Sequence, residues 1–269
     1  MGEQEILYDK EDGVAIITLN RPDKLNAVTD DMLVLMGDIL NEATVDDEVR
    51  AIIVTGNGRT FCAGTDVNVG VARDQTAERS TQQRQPKQFD LPPTSLPRWQ
   101  FTHIPKPTIA AVNGATVGIG AEWTVQCDFR IASEKARFGW VFPLRGLCPD
   151  TGAGPYMLPQ IVGMSNAMEL LYTGEIIDAQ KAMEIGLVSA VVPPEELMTA
   201  AKELAARLTR GAPLALKKIK EMAYGSFDWS IGAHQAENAK RFNEASMSED
   251  AKEGVSSFLE KRPPIWKNK

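Results

Sequence analysis

The sequence predicts an α/β core followed by a purely helical C-terminal part, and three observations carry that reading. Short apolar runs rich in β-branched residues recur at Val14 to Leu19, Ala51 to Thr55 and Thr108 to Val112, the mark of buried strands. Glycine-bearing turns follow the second and third of these. Beyond Pro193–Pro194 the strand pattern stops and only helical spacing continues. A chain of 269 residues, 43% hydrophobic and 24% charged, suffices for one sizeable core or for a core with an appended helical lobe.

In chain order, Val14 to Leu19 reads as the first strand. Thr29 or Asp30 then caps a helix whose Met32, Leu33, Met36, Ile39 and Leu40 fall at helical spacing. Ala51 to Thr55 is the next strand, closed by Gly56–Asn57–Gly58. The stretch from Val71 to Gln100 is polar and holds Pro86, Pro92, Pro93 and Pro97, which makes it a surface loop or a lid. Thr108 to Val112 is a strand, and the small residues Asn113 to Gly120 turn it into the helix carrying Glu122. Cys127 to Ala132 reads as a strand, and Met157 to Leu171 as helix with Pro159 near its start and a break at Gly163. Ala179 to Gly186 is a short glycine-ended helix leading into a strand, Leu187 to Val192. Four helices complete the chain: Leu197 to Leu208, Leu214 to Tyr224, Ser230 to Glu244, and Glu249 to Leu259 after a capping Ser248. Domains are therefore expected at 1–194 and 195–269, and the amphipathic faces of the second call for burial against a neighbouring subunit.

A net charge of −7 argues against nucleic acid or an anionic membrane as partner. Cys62, Cys127 and Cys148 are odd in number and lack C-x-x-C spacing, so neither a disulfide framework nor a zinc site is expected, and a reducing compartment fits. His103 and His234 are too few for a metal cluster or a well-supported histidine dyad. No basic segment precedes an apolar run at the N-terminus, and no apolar stretch is long enough for a membrane span, so a cytoplasmic location is expected. Carboxylates are left to move protons.

Two segments present backbone amides. One is the turn through Gly118, Ile119 and Gly120, where the first amides of a helix lack intrahelical acceptors and sit at its positive end. The other is Arg59 to Val67, after the strand Ala51 to Thr55. A lone G-x-G pattern serves helix packing as readily as catalysis. Two such edges converging from distant parts of the chain would hold a carbonyl oxygen as it becomes an enolate. Glu122 lies about one helical turn further on, able to face the same cavity, although an acid near a helix N-terminus is also favoured electrostatically. Asp150 stands at the head of the next helix, a common place for an N-cap. Phe138, Trp140, Phe142 and Trp123 read first as core, and second as the lining of an acyl pocket. His103 and Cys148 read as structural.

Leu19–Asn20–Arg21–Pro22 with Asn26–Ala27, the run Phe61 to Asp66, Lys106–Pro107 through Gly120, Gly146 to Gly154, and Ala179 to Val192 together resemble the crotonase family of enoyl-CoA hydratases and isomerases. The resemblance spans nearly the whole chain and implies a crotonase-like ββα spiral core with a C-terminal helical oligomerisation lobe, assembled as a homotrimer or a dimer of trimers. It implies an acyl-CoA thioester substrate, with coenzyme A entering as part of that substrate and no separate cofactor or metal. The oxyanion amides it implies are those of Ala63 and Ile119, with Gly118 shaping the turn. Lys24, Ala27, Gly64, Asp66 and Val67 would line the CoA groove, and Lys261 or Arg262 would reach a phosphate. Glu122 matches one of the two glutamates that act on water in typical hydratases. Phe142 stands where the second is expected, which puts a two-glutamate hydration in doubt. Relatives with an acid at the place of Asp150 include dienoyl-CoA and ring-opening isomerases and a dehalogenase. Glu122 and Asp150 would thus form a proton-moving pair, for isomerisation or for hydration with altered geometry. Hydrolysis or dehalogenation at Asp150, and an inactive CoA- or RNA-binding relative, are the alternatives.

Overall fold

The computed structural model describes residues 4–66 and 99–268. Two sheets organise it. The larger has six strands: β1 (Ile6–Glu11), β2 (Val14–Leu19), β3 (Ala51–Gly56), β5 (Thr108–Val112), β7 (Phe129–Ser133) and β10 (Ala190–Val192), neighbours in that order. β1 and β2 form an antiparallel pair, and all later pairings are parallel. The smaller sheet orders β4 (Thr60–Cys62), β6 (Ala115–Val117), β8 (Arg137–Gly139) and β9 (Ile176–Asp178). Its first two pairings are parallel and its last is antiparallel.

Each of β3, β5 and β7 is followed, after a short turn, by a strand of the smaller sheet, namely β4, β6 and β8. This repeated strand–strand step carries the chain from the larger sheet to the smaller one three times. The central strands of the larger sheet are buried on both faces, which is why they read as unbroken apolar runs. Ile52 and Val54 of β3 and Ala110 and Val112 of β5 face the main core. Ala51, Ile53, Ile109 and Ala111 face the other way, onto Leu197, Ala201, Leu204 and Ala205. Those four side chains belong to the helix Leu197–Leu208, which lies on the sheet.

Helix α1 (Asp30–Val45) begins as expected, the Thr29 hydroxyl accepting the Met32 amide at 3.2 Å, and buries Met32, Met36, Ile39 and Leu40. Helix α2 (Ile119–Gln126) is buried along its whole length. The helical stretch expected from Met157 starts earlier, and Gly163 divides it into α3 (Ala153–Val162) and α4 (Met164–Thr173). Helix α5 (Ala179–Glu184) precedes β10, which is shorter than the predicted Leu187 to Val192. The Leu187 and Val188 amides turn back to the Ala182 carbonyl and so cannot enter the ladder.

After α6 (Leu197–Leu208) come α7 (Pro213–Gly225), α8 (Ile231–Ser246) and α9 (Glu249–Glu260). Neither α7 nor α8 has a fully buried residue. Among the described residues no helix is long and apolar enough to cross a membrane.

Candidate active site

The two amide-bearing segments do converge. A Cβ placed on Gly118 would lie 3.6 Å from Gly64 Cα, and one on Gly120 would lie 2.7 Å from Cys62 Cβ and from the Cys62 carbonyl oxygen. Only glycine lets α2 start this close to β4. Gly118 also has φ 58° and ψ −125°, a conformation that side chains oppose. From there the first intrahelical bond runs from the Glu122 amide to the Gly118 carbonyl at 3.0 Å, so the Ile119 amide in the first turn has no acceptor within the helix. Ile119 itself is buried.

The Ala63 amide is not available in the way the resemblance implies. It donates to the Leu25 carbonyl at 3.0 Å. Next along the chain, Val28 brackets Thr65: the Val28 amide donates to Gly64 O and the Asp66 amide donates to Val28 O, each at 2.9 Å. Amides alternate in direction along an extended segment, so the Thr65 amide points away from Val28. The sequence offers no sign of this register, because the bridge joins Thr65 to a loop 37 residues earlier.

The Lys24–Ala27 loop is thereby docked along the 63–66 segment. Leu25 and Asn26 adopt positive φ of 52° and 56°. The fully buried Asn26 fixes the loop, its amide nitrogen donating to the carbonyls of Asn57 at 3.0 Å and Thr60 at 2.8 Å. Lys24 is exposed and Ala27 half-buried. The Asp66 carboxylate pairs with Arg21 at 3.1 Å, so this side chain braces the groove. Val67 lies outside the described residues, as does the expected lid up to residue 98.

Glu122 is fully buried. Its Oε1 accepts the Trp140 indole N–H at 3.0 Å and the Gly154 amide at 2.9 Å, and its Oε2 accepts the Thr151 hydroxyl. Burial pushes the carboxyl above its ordinary value, the Thr151 and Gly154 hydrogen bonds pull it back, and the charge of Asp150 raises it again. Gly154 is required here, since a Cβ would stand 2.3 Å from Glu122 Oε1. Trp140 and Thr151 are site residues that sequence reasoning did not select. Trp140 was legible as core or as pocket lining and Thr151 only as part of a turn, and neither reading ties them to Glu122.

Asp150 does not cap α3. Gly152 is the N-cap residue, and the Ala153 amide donates to Thr151 Oγ1 at 3.1 Å. The half-buried Asp150 instead meets the Thr65 hydroxyl, whose Oγ1 lies 3.5 Å from Oδ2, and so flanks the amide segment. Phe142, buried in the turn Phe142–Arg145, brings its ring tip to 3.9 Å from the place of a Gly118 Cβ. An apolar edge thus overlooks the glycine turn where the resemblance places a second glutamate. Phe138, Trp123 and Trp140 are fully buried core. Cys148 is exposed rather than packed, while Cys62, under the turn, has its thiol pushed up to about 12 by burial and is no nucleophile.

A family model described as enoyl-CoA hydratase/isomerase matches residues 9–269. A short-chain-enoyl-CoA hydratase of Clostridium acetobutylicum is 37% identical over 96% of this chain and 95% of its own length. A 1,2-epoxyphenylacetyl-CoA isomerase of Escherichia coli is 36% identical over 98% of both. The crystal structure of an enoyl-CoA hydratase from Mycobacterium tuberculosis superposes with a TM-score of 0.86 at 32% identity, over 99% of this chain and 100% of the other. With two amide segments meeting at Gly64 and Gly118 and a buried glutamate on the helix between them and Asp150, the chain belongs to the enoyl-CoA hydratase/isomerase family and is an enzyme of that type.

Proposed function

We propose that this enzyme relocates a proton, and with it a double bond, within an unsaturated acyl-CoA. The thioester oxygen lies between the amides of Ile119 and Thr65, donors already in place for the charge that develops. The ionised Glu122 takes a proton from carbon, the C–H electron pair passes into the enolate, and Asp150, protonated at the start of the cycle, gives its proton to another carbon as the enolate collapses. Atoms and charge balance across the pair, and the next turnover begins once the two carboxyls have exchanged a proton with solvent. The observation that carries this reading is the buried Glu122 carboxylate, held by three donors beside the glycine turn.

Hydration is the second reading, favoured by the likeness to hydratases over nearly the full chain. Against it stands Phe142, whose ring cannot hold a water as a carboxylate does. Lys24 and Ala27 are proposed to contact the CoA moiety, which enters as part of the substrate, and no further cofactor takes part. The domain division at 194/195 and a homotrimer or dimer of trimers belong to the same proposal, and the assembly is supported by exposed apolar side chains such as Ile219, Phe242 and Phe258 on the last three helices. A monomer by light scattering would overturn the assembly.

The deciding experiment offers crotonyl-CoA, a 3-enoyl-CoA and a dienoyl-CoA to the wild type, Glu122→Gln and Asp150→Asn. Double-bond migration by the wild type, with losses of about 10²–10⁴-fold in each variant, is expected. Hydration of crotonyl-CoA without any migration would select the second reading. No turnover of any thioester would overturn both.

A further inference from the structure

We infer that Trp140 and Thr151 are positioning residues that divide the Glu122 carboxylate into a pinned oxygen, Oε1, and a working oxygen, Oε2. This rests on the reading of Glu122 as the base. Each carboxylate oxygen has two lone pairs. Those of Oε1 are taken by the Trp140 indole at 3.0 Å and the Gly154 amide at 2.9 Å. Neither group can accept a hydrogen bond, so both favour the charged carboxylate and neither welcomes a proton on Oε1.

Oε2 meets a partner of a different kind. The Thr151 hydroxyl donates to it and accepts the Ala153 amide at 3.1 Å with one of its own lone pairs. Its second lone pair can receive a hydrogen bond from Oε2–H. Thr151 favours the carboxylate as a donor, yet unlike the two Oε1 partners it accepts a proton on Oε2 by reversing one hydrogen bond, at the smaller cost of unpairing its own hydrogen, and the proton leaving carbon settles on Oε2. The mounts are themselves fixed: Trp140 is fully buried, and the Thr151 carbonyl accepts the Trp99 indole N–H at 2.8 Å.

The test titrates Glu122 by NMR in protein labelled at the glutamate carboxyl carbon, with Glu122→Gln identifying its resonance, beside the pH profile of kcat/KM. Trp140→Phe keeps the aromatic core and removes one donor, Thr151→Val removes the other, and Thr151→Ser restores it. Loss of either donor is expected to move the Glu122 midpoint about one pH unit higher. The acid limb of kcat/KM should follow, and Thr151→Ser should return both to the wild-type position. Midpoints unchanged in the valine and phenylalanine variants, or a serine variant that behaves like valine, would overturn the inference. If Trp140→Phe does not fold, the valine and serine pair decides alone. Full turnover by Glu122→Gln would overturn the assignment of the base itself, an outcome separate from the NMR midpoints.

Discussion

At the scale of single residues, Glu122 is buried among donors, and burial outweighs them in raising its carboxyl. A base works in its ionised form, and the ionised fraction grows with pH. Turnover should therefore fall as pH drops, with a midpoint above the ordinary glutamate value, and a kcat/KM profile on the preferred thioester checks this. Gly154→Ala forces a methyl group against Glu122 Oε1, so the carboxylate must shift. A loss of about a hundredfold in kcat is expected, with a stability loss of about 1–3 kcal/mol because the same methyl group presses on the buried Trp140 ring. Glu122 was legible in the sequence because a glycine turn and a helix announce where its side chain goes. Its partners were not legible. Trp140 reaches it across 18 residues and Thr151 across 29, and no periodicity links such positions.

At the scale of elements, the long strands were readable because both faces of the larger sheet are covered, which leaves continuous apolar runs in β2, β3 and β5. The smaller sheet was not. Its strands β4, β6, β8 and β9 have three residues each, too few to show alternation, and they exist because neighbouring repeats hold them in register. The start of α2 depends on contact with that sheet. Gly120→Ala places a Cβ 2.7 Å from the Cys62 backbone oxygen and should cost about 1–3 kcal/mol in urea unfolding. The Ala63 expectation failed at this scale too, because strand-like pairing with Leu25 and Val28 sets which amide faces which way.

For the whole molecule, four consecutive helices were legible by spacing and caps, Ser230 and Ser248 both accepting the amide three residues on. What spacing did not disclose is that α6 covers a face of the sheet while α7, α8 and α9 extend beyond it. The C-terminal tail is strapped back: Arg262 binds the Glu253 carboxylate through two nitrogens, at 2.6 and 2.9 Å, and the Asp250 carboxylate receives the amides of Lys267 and Asn268. Arg262 and the Ile265 amide hold Glu253 at about 2. A carboxyl more acidic when folded adds stability in full above its unfolded value of roughly 4.3, and loses it as pH falls toward 2. The tail is expected to detach within that window, and Trp266, whose indole donates to the Arg210 carbonyl, reports it by fluorescence. Glu253→Gln should loosen the tail already at neutral pH.

The repeated strand–strand step separates two kinds of instruction. On the proposed reading, the donors for the enolate oxygen are peptide N–H groups set by the glycine turn, whereas the proton-handling groups are side chains on α2 and on the loop that follows β8. The span from residue 140 to residue 154 holds Trp140, Phe142, Asp150 and Thr151 on one excursion between β8 and α3, and Gly154 in the first turn of α3. On that reading, a substitution within those fifteen positions reaches the proton-handling side chains without touching the glycine turn that begins α2, so the chemistry and the oxygen's donors are open to separate change.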